Sequence, residues 1–178
     1  MSDEVTWIEC DGGPHILIDN RYLRIWKGKT DEEFERSCTY YEEAGLIDGH
    51  IGELRIAEGK CLIINEEFTA STWISDNDTS GFFAGVNYVS EKYGNEEIKF
   101  STLLKEFHKI PDERFVDMDL SYQVTDSELY LFAACDFGDD WLYDYCKINL
   151  QQGNYRIRMV KEYIFEGSSF ILYKFSKF

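Results

Sequence analysis

The stretch that decides the fold runs from Trp7 to Ile18 and reads "WIECDGGPHILI". A dinucleotide-binding turn needs GxGxxG before a helix, and a P-loop needs GxxxxGK followed by Ser or Thr; this stretch has neither pattern. Because an aliphatic, β-branched run follows the glycines, their amide groups are not gathered at a helix N-terminus, where an anion would bind. We therefore predict that Gly12 and Gly13 turn a corner between two extended segments. Trp7, Asp11 and Pro14 are likewise assigned to the fold and not to a site.

Working outward, the second half of the chain predicts antiparallel strands. Residues 116–124 alternate apolar with polar side chains, which is the period of a strand buried on one face. Residues 128–137, "ELYLFAACDF", are nearly all apolar and predict a central strand. Residues 141–150, "WLYDYCKINL", have no cleanly polar face and predict a strand with a functional or partly covered outer face. With two more strands after glycine-containing turns, we predict that residues 115–178 form a five-stranded meander on one side of a β-sandwich.

The first half predicts strands mixed with helices. The expected strands are, in chain order, "HILIDN", "YLRIW", "ELRIA", "KCLIIN", "TASTWIS" and "GFFAGVNYV". A capping box at Thr30 predicts a helix that ends at Gly45, with Phe34, Cys38 and Tyr41 on its buried face. Ser101 is predicted to cap a second short helix, whose core-facing residues are Leu103, Leu104 and Phe107.

These patterns predict a β-rich α+β fold with antiparallel sheets and one or two short helices. A chain of 178 residues is long enough to bury one sizeable core. We expect a single domain over residues 1–178, with possible sub-halves 1–110 and 111–178 packed together.

Targeting, metal and cofactor signals are missing from the sequence. Asp3 and Glu4 stand where a secretory signal would carry Lys or Arg, and no apolar run approaches the ~18 residues that span a bilayer, so we expect a cytoplasmic protein. Five cysteines without a CxxC pair argue against a disulfide framework and a thiolate zinc site, and we expect them to be reduced and mostly buried. The histidines, His15, His50 and His108, have no metal-binding spacing. We predict no catalytic residue, no metal and no cofactor.

Acidic residues dominate the composition. The chain has 34 acidic and 18 basic residues, a formal net charge of -16. Such a field repels nucleic acid and anionic membranes and attracts a basic protein, although excess acid can also serve solubility alone. Arginines and lysines gather near the C-terminus, and pairing of some of them with Asp117 and Asp119 across a sheet would make part of the acidity structural.

The segment "CDFGDDWLYDY", residues 135–145, is the candidate binding site. Its carboxylates can accept charge-assisted hydrogen bonds from a partner, and its aromatic rings offer large contact area at small entropic cost. A calcium loop would end on a Glu, which is missing here. The alternative is a solvated hairpin tip whose rings pack back on the sheet. The predicted partner-binding residues are Asp136, Asp139, Asp140, Trp141, Tyr143 and Asp144.

Several segments together resemble the Imm21 immunity proteins of bacterial polymorphic toxin systems. They are "WIECDGGPHILI", "FERSCTYYEEAGLI", "CLIINEEFTASTWI", "GFFAGVNYV" and "INLQQGNYRIRMV". The resemblance implies a cytoplasmic inhibitor that binds a toxin domain delivered between bacteria and covers its active site or an adjacent exosite. Such an inhibitor needs no catalytic residue. The expectation that the toxin is basic, such as a nuclease, rests on the charge of this chain alone.

Two other function classes stay open at the level of sequence. Twelve tyrosines and four tryptophans would suit a β-sandwich that binds a small molecule or a carbohydrate, which would require a concave aromatic cleft. A hydrolase could use paired carboxylates such as Asp139 and Asp144, which would require a pocket with one raised carboxyl pKa.

Overall fold

The computed structural model describes residues 3–10, 13–29, 39–88, 98–136, 138 and 144–178. The strands are β1 (Ile8–Glu9), β2 (His15–Asp19), β3 (Ile51–Ile56), β4 (Gly59–Ile64), β5 (Ala70–Ile74), β6 (Ser80–Tyr88), β7 (Val116–Val124), β8 (Glu128–Ala133), β9 (Tyr145–Asn149), β10 (Gly153–Phe165) and β11 (Ser168–Lys177). The α-helices are α1 (Thr39–Gly45) and α2 (Phe100–His108), and 3₁₀ helices cover Asn20–Ile25 and Asp112–Arg114.

The strands form two antiparallel sheets. One has six strands in the order β1-β5-β6-β11-β10-β7, and the other has five in the order β3-β4-β2-β8-β9. Both sheets take strands from the first and the second half of the chain. The predicted fold class, a β-rich α+β fold with antiparallel sheets and short helices, is confirmed.

The prediction of one five-stranded meander over residues 115–178 was wrong in its connectivity. All five strands form, but β7, β10 and β11 lie in the six-stranded sheet while β8 and β9 lie in the five-stranded sheet. The chain changes sheets between β7 and β8, and β8 pairs with β2 on one side and β9 on the other. Alternating polarity shows which face of a strand is buried, but it does not encode the strand's neighbours.

Three apolar clusters hold the layers together. The central cluster takes side chains from both sheets, including Leu17, Leu131, Tyr155 and Tyr173. A second cluster covers the other face of the five-stranded sheet with the first 3₁₀ helix and α1, and a third covers the six-stranded sheet with α2. The two sheets therefore pack face to face, with short helices on their outer surfaces.

The corner after "WIECDGG" is confirmed as a structural turn. Gly13 has a φ of +140°, in a region that side-chain-bearing residues rarely adopt. The chain leaves β1 in the six-stranded sheet and enters β2 in the five-stranded sheet, so the corner joins the two sheets. Gly12 lies outside the described residues.

The strand predicted at "YLRIW" was wrong, because this segment forms the first 3₁₀ helix. The carboxylate of Asp19 accepts a hydrogen bond of 2.9 Å from the Arg21 amide and fixes the first turn. Tyr22 within this helix and Trp26 directly after it are both buried and belong to the apolar cluster that covers the five-stranded sheet.

The helix boundaries were predicted in part. α1 ends at Gly45 as expected, while Thr30, Phe34 and Cys38 lie outside the described residues. In α2, Leu103 and Phe107 are buried and Leu104 is partly buried, as expected.

The cap predicted for α2 was wrong. Lys99 holds the N-cap position, and the carboxylate of Asp3 accepts hydrogen bonds of 2.9 Å from both the amide and the hydroxyl of Ser101. The cap therefore comes from a residue far away in the chain, which a local motif cannot reveal.

Among the described cysteines, Cys61 and Cys146 are buried, and Cys10 and Cys135 are half-buried. None of the helices in the described ranges is long and apolar enough to cross a lipid bilayer.

Candidate functional site

The structure describes two of the predicted partner-binding residues, Asp136 and Asp144. They lie in the connection between β8 and β9. The other four predicted residues, Asp139, Asp140, Trp141 and Tyr143, lie outside the described residues, and so does the carboxylate pair of Asp139 with Asp144.

The first part of this connection, residues 134–136 and 138, which we call the loop base, is fixed by backbone hydrogen bonds. Ala134 donates to the carbonyl oxygen of Pro14, at 2.8 Å, and Lys29 donates to the carbonyl oxygen of Cys135, also at 2.8 Å. Gly138 donates to the carbonyl oxygen of Trp26 at 3.0 Å. The loop base is thereby tied to both the Gly13 corner and the segment after the first 3₁₀ helix.

Trp26 and two glycines complete this anchorage. The Trp26 indole is fully buried, and its Nε1 donates to the Ala134 carbonyl oxygen at 2.8 Å. A Cβ on Gly28, which has a φ of +58°, would lie 2.3 Å from the Asp136 carbonyl oxygen. A Cβ on Gly138 would lie 2.1 Å from the Leu23 carbonyl oxygen. Both positions therefore require glycine for the backbones to approach this closely.

Asp136 lies half-buried on this fixed backbone. Burial raises the pKa of its carboxyl group, and the negative charge of Asp144 adds to the effect, while the thiol of Cys135, 3.8 Å from Oδ1, opposes it. The same proximity acts on the thiol: burial and then Asp136 raise the pKa of Cys135 to about 11. A half-buried carboxyl group beside another acid is costly to ionise unless a cation reaches it.

Acids elsewhere on the surface have cations of their own. Asp112 lies 3.0 Å from Nη1 of Arg158 and 2.6 Å from Nζ of Lys174, which lower its pKa to about 2. Asp117 lies 3.6 Å from Nε of Arg156, so the predicted pairing of the C-terminal basic residues with Asp117 is confirmed. Asp119 instead donates its amide to the Asp117 carboxylate.

Asp136 and Asp144 differ from these acids. Across the described ranges, neither carboxylate has an Arg, Lys or His within the 4.0 Å of an ion pair. Part of the surface acidity is thus neutralised by ion pairs, whereas Asp136 and Asp144 have no cationic partner among the described residues.

The outer face of β8 and β9 lies next to these carboxylates and was missed by sequence reasoning as a set. Tyr130 and Tyr145 have ring centroids 5.4 Å apart. Glu128 accepts a hydrogen bond of 3.1 Å from the Tyr130 hydroxyl and lies 2.7 Å from Nζ of Lys147. The weak polarity of "WLYDYCKINL" predicted a functional or partly covered outer face on β9, but the contribution of β8 depends on the pairing of the two strands.

The histidines are structural or partly exposed. His15 is fully buried between the rings of Phe68 and Phe83. Nδ1 of His50 contacts the Glu66 carboxylate, and the buried Tyr173 hydroxyl donates to the same carboxylate at 3.3 Å. Within the described ranges, no three His, Cys, Asp or Glu side chains are placed to hold a metal ion.

Several of the aromatic residues that could have stacked on a sugar are buried. Among the largest fully buried side chains are Trp26, Tyr122, Tyr155 and Tyr173. These rings fill the cores on both sides of the five-stranded sheet and are not accessible for stacking on a ligand.

The raised pKa of Asp136 meets one requirement of the hydrolase alternative, but its predicted partner Asp139 lies outside the described residues.

Comparison with known proteins places the chain in one family. The profile of Imm21, described as immunity protein 21, matches residues 6–164 of the 178-residue chain. The chain therefore belongs to the Imm21 family, and the resemblance seen in the sequence is confirmed. No curated protein and no solved structure matches the chain.

Proposed function

We propose that this Imm21 protein neutralises its toxin by direct binding, with the carboxylates beside the loop base facing a basic surface of the toxin domain. The family membership supports an immunity protein with a toxin as its partner. The basic character of the toxin and the position of the interface are our own inference from the charges and the geometry.

The observation that carries the proposal is the state of Asp136. Its carboxyl group is half-buried, its pKa is raised by burial and by Asp144, and no cation of the described chain reaches it. An arginine or lysine supplied by a partner would remove this cost and form charge-assisted hydrogen bonds, which are about twice as strong as neutral ones. The ionised form of Asp136 is thus more stable in a complex with a cationic partner than in the free protein.

Anchorage of the loop base supports the same proposal. Trp26, Gly28 and Gly138 fix the backbone on both sides of Asp136 before a partner arrives. A backbone that is already fixed loses less conformational entropy on binding, which increases affinity without any additional contact. The fold therefore prepares this part of the surface for binding.

The acidity of the chain also bears on how the protein would inhibit its toxin. A net charge of -16 increases the rate of encounter with a basic protein, and the carboxylates near the loop base set where it docks. We propose that the protein acts in the cytoplasm of the producing cell, occupies the toxin's active site or an adjacent exosite, and breaks no bond itself. A nuclease is the toxin class that best fits a basic partner.

Binding to the toxin encoded by the neighbouring gene tests the proposal. Association and dissociation rates should be measured at several salt concentrations for the wild type, Asp136→Asn and Asp144→Asn. We expect the association rate to fall with added salt. Each substitution should raise the Kd by about tenfold or more, since it removes a carboxylate that meets a cation in the interface.

Asp117→Asn is the matched control, because it changes the net charge by the same amount at an acid already paired with Arg156. It should change the Kd by less than about threefold. An equal loss for Asp117→Asn and Asp144→Asn would contradict the proposed location. The absence of binding by the wild-type protein would contradict direct neutralisation altogether.

A further inference from the structure

The end of the five-stranded sheet at which the Gly13 corner lies, which we call the corner end, carries a second connection besides the loop base. The strand pairing defines one row of residues across β3, β4, β2 and β8, namely Ile51, Ile64, His15 and Ala133. Just beyond this row, the Asn65 amide donates to the His50 carbonyl oxygen at 2.9 Å. On the other side of the corner, the Ala134 amide donates to the Pro14 carbonyl oxygen at 2.8 Å. The turn between α1 and β3, residues 46–50, therefore lies at the same end of the sheet as the loop base.

The turn and the loop base are close enough for one partner to cover both. Three strand spacings separate β3 from β8, and at about 4.8 Å for each spacing the turn lies about 14 Å from the loop base. One side of a standard protein interface buries about 800 Å², which corresponds to a patch about 30 Å across. A toxin domain centred on the loop base would therefore also cover the turn.

Leu46 is the most exposed large apolar side chain of the described residues, at 79%. The next side chain, Ile47, packs on β3 instead, where a Cβ on Gly52 would lie 2.7 Å from its Cγ2 atom. Asn65 closes the turn, because its Nδ2 atom donates to the Ile47 carbonyl oxygen at 2.8 Å. The Leu46 amide donates to the Glu43 carbonyl oxygen at 3.1 Å. The backbone is thus fixed on both sides of a leucine that stays in solvent.

Other exposed apolar side chains of this layer also lie at the corner end. Ile25 is 38% exposed and directly precedes Trp26, whose indole is bonded to the loop base. Tyr145, also 38% exposed, is the first residue of β9 and lies opposite Phe132 near the end of β8. The remaining large apolar side chains that stay exposed among the described residues lie on or after strands of the six-stranded sheet: Val116, Ile164 and Phe178. A single exposed leucine is common on protein surfaces, but several apolar side chains at one end of a sheet indicate a contact surface.

The charge around the turn fits the same basic partner as the loop base. Residues 39–54 and 61–88, which contain the turn and the connection after β4, have no Lys or Arg. Asp48 and Glu67 are exposed, and across the described ranges no Lys or Arg lies within the 4.0 Å of an ion pair from either carboxylate. The ion pairs that Arg and Lys make on this sheet lie toward its other end, on Asp19, Glu53 and Glu128. A basic surface is attracted to this turn and an acidic surface is repelled by it.

We infer that the corner end of the five-stranded sheet binds the toxin as one surface, in which Leu46 enters an apolar depression of the basic toxin domain while the loop-base carboxylates meet its cations. This inference rests on the proposed function and adds a second contact point to it. Charges act over a distance and steer association, whereas an apolar contact forms only in the docked complex. Leu46 should therefore govern dissociation.

The test measures both rate constants with the toxin encoded by the neighbouring gene for Leu46→Ala, Leu46→Arg and Ile164→Ala. Leu46→Ala removes most of a side chain that becomes buried, so it should speed dissociation by about fivefold or more and change the association rate by less than about twofold. Leu46→Arg places a cation against a basic partner and should weaken binding more than Leu46→Ala. Ile164→Ala is the matched control, because Ile164 is an aliphatic residue 68% exposed on the six-stranded sheet. It should leave both rates unchanged.

Hydrogen exchange gives an independent map of the surface. Toxin binding should slow the exchange of backbone amides in residues 46–50 and in the loop base. The hairpin between β10 and β11, which carries Ile164, should exchange as it does in the free protein. Protection of the hairpin without protection of residues 46–50 would contradict the inference.

The outcomes separate this inference from the proposed function. Unchanged dissociation for Leu46→Ala, with normal toxin binding by the wild type, would overturn the inference and leave direct neutralisation standing. Failure of the wild type to bind would overturn both. Self-association of the free protein that Leu46→Ala abolishes would show that a second copy covers the turn, against the inference.

A folding control accompanies these variants. Because the Leu46 side chain is exposed, Leu46→Ala should keep the thermal unfolding transition of the wild type within a few degrees. Faster dissociation by a variant that unfolds like the wild type then reports the loss of a contact with the toxin. Tight binding by Leu46→Arg would contradict the apolar contact assigned to this side chain.

Discussion

Replacing His15 with leucine should make folding less sensitive to mild acid. The imidazole has no exposed surface and lies 5.7 Å from the ring of Phe68 and 5.6 Å from that of Phe83. Among the described residues, neither of its nitrogens has a hydrogen-bond partner. Burial lowers the pKa of His15 to about 4, because a charged imidazolium would lose its hydration without gaining a carboxylate.

The size of the effect follows from this pKa. Between the unfolded value of 6.5 and the folded value of about 4, the unfolded chain binds more protons than the folded one. The free energy of unfolding therefore falls as the pH is lowered through this window, and it levels off below it. At about 1.4 kcal/mol for each pKa unit, the full loss is about 3 kcal/mol, and about 2 kcal/mol of it is reached at about pH 5.

Urea unfolding at about pH 7.5 and about pH 5 measures this loss in the wild type, in His15→Leu and in Ile16→Val. The wild type should lose about 2 kcal/mol more than His15→Leu between the two conditions. Ile16→Val, a non-titrating core substitution in the same strand, should lower the free energy of unfolding by about 1 kcal/mol at both pH values. Its loss of stability between the two pH values should therefore equal that of the wild type. Equal pH dependence in the wild type and His15→Leu would refute the buried neutral imidazole.

Three other substitutions test the anchorage and the surface ion pairs. Gly28→Ala would place a Cβ 2.3 Å from the Asp136 carbonyl oxygen at a φ of +58°, so thermal unfolding should show a loss of more than about 1 kcal/mol. Trp26→Phe removes the hydrogen bond to the Ala134 carbonyl oxygen and should cost about 1 to 2 kcal/mol in urea unfolding. Asp112→Asn removes an exposed but paired carboxylate, and solvent screening should keep its cost below about 1 kcal/mol near neutral pH. Since the pKa of Asp112 is lowered to about 2, acid titration of unfolding should show the wild-type advantage above about pH 4 and its loss as the pH falls toward 2.

Features that depend on neighbouring residues in the chain could be predicted from the sequence. The strand at β7 was predicted because apolar residues recur at every second position; Tyr122 and Val124 at its end are buried accordingly, whereas Val116 at its start is exposed. The Gly13 corner was predicted because a glycine pair followed by proline and an aliphatic run suits neither a helix nor a continuous strand. In both cases the decisive interactions lie within a few residues.

Features that depend on distant partners could not be predicted. The segment before Trp26 became a 3₁₀ helix, and the indole reaches a carbonyl oxygen 108 positions further along the chain. The cap of α2 comes from Asp3, which lies 98 positions before Ser101. The prediction of one meander over residues 115–178 was wrong for the same reason, since the choice of β2 as a neighbour of β8 depends on packing between whole sheets.

The same distinction between local and distant interactions applies to the candidate site. Composition alone led to the prediction of Asp136 and Asp144 as partner-binding residues, because acids interleaved with aromatic residues stand out in the sequence. It gave no signal for the contact between the rings of Tyr130 and Tyr145, since the run that contains Tyr130 reads as uniformly buried. Whether one end of a sheet's outer face stays uncovered depends on strand order, and β8 and β9 lie at the end away from α1 and β3.

The position of each carboxylate matters more for docking than the total charge does. At physiological ionic strength the field of a distant charge decays over about 8 Å, so an acid outside the interface contributes to encounter but little to the bound complex. Asp117 already contacts Arg156, whereas Asp144 has no cation among the described residues. If the inhibitor relied on net charge alone, loss of either acid would weaken toxin binding equally at every salt concentration. If the inhibitor docks through the loop base, loss of either acid would weaken toxin binding in low salt. Once the long-range field is screened, only the loss of Asp144 would weaken it.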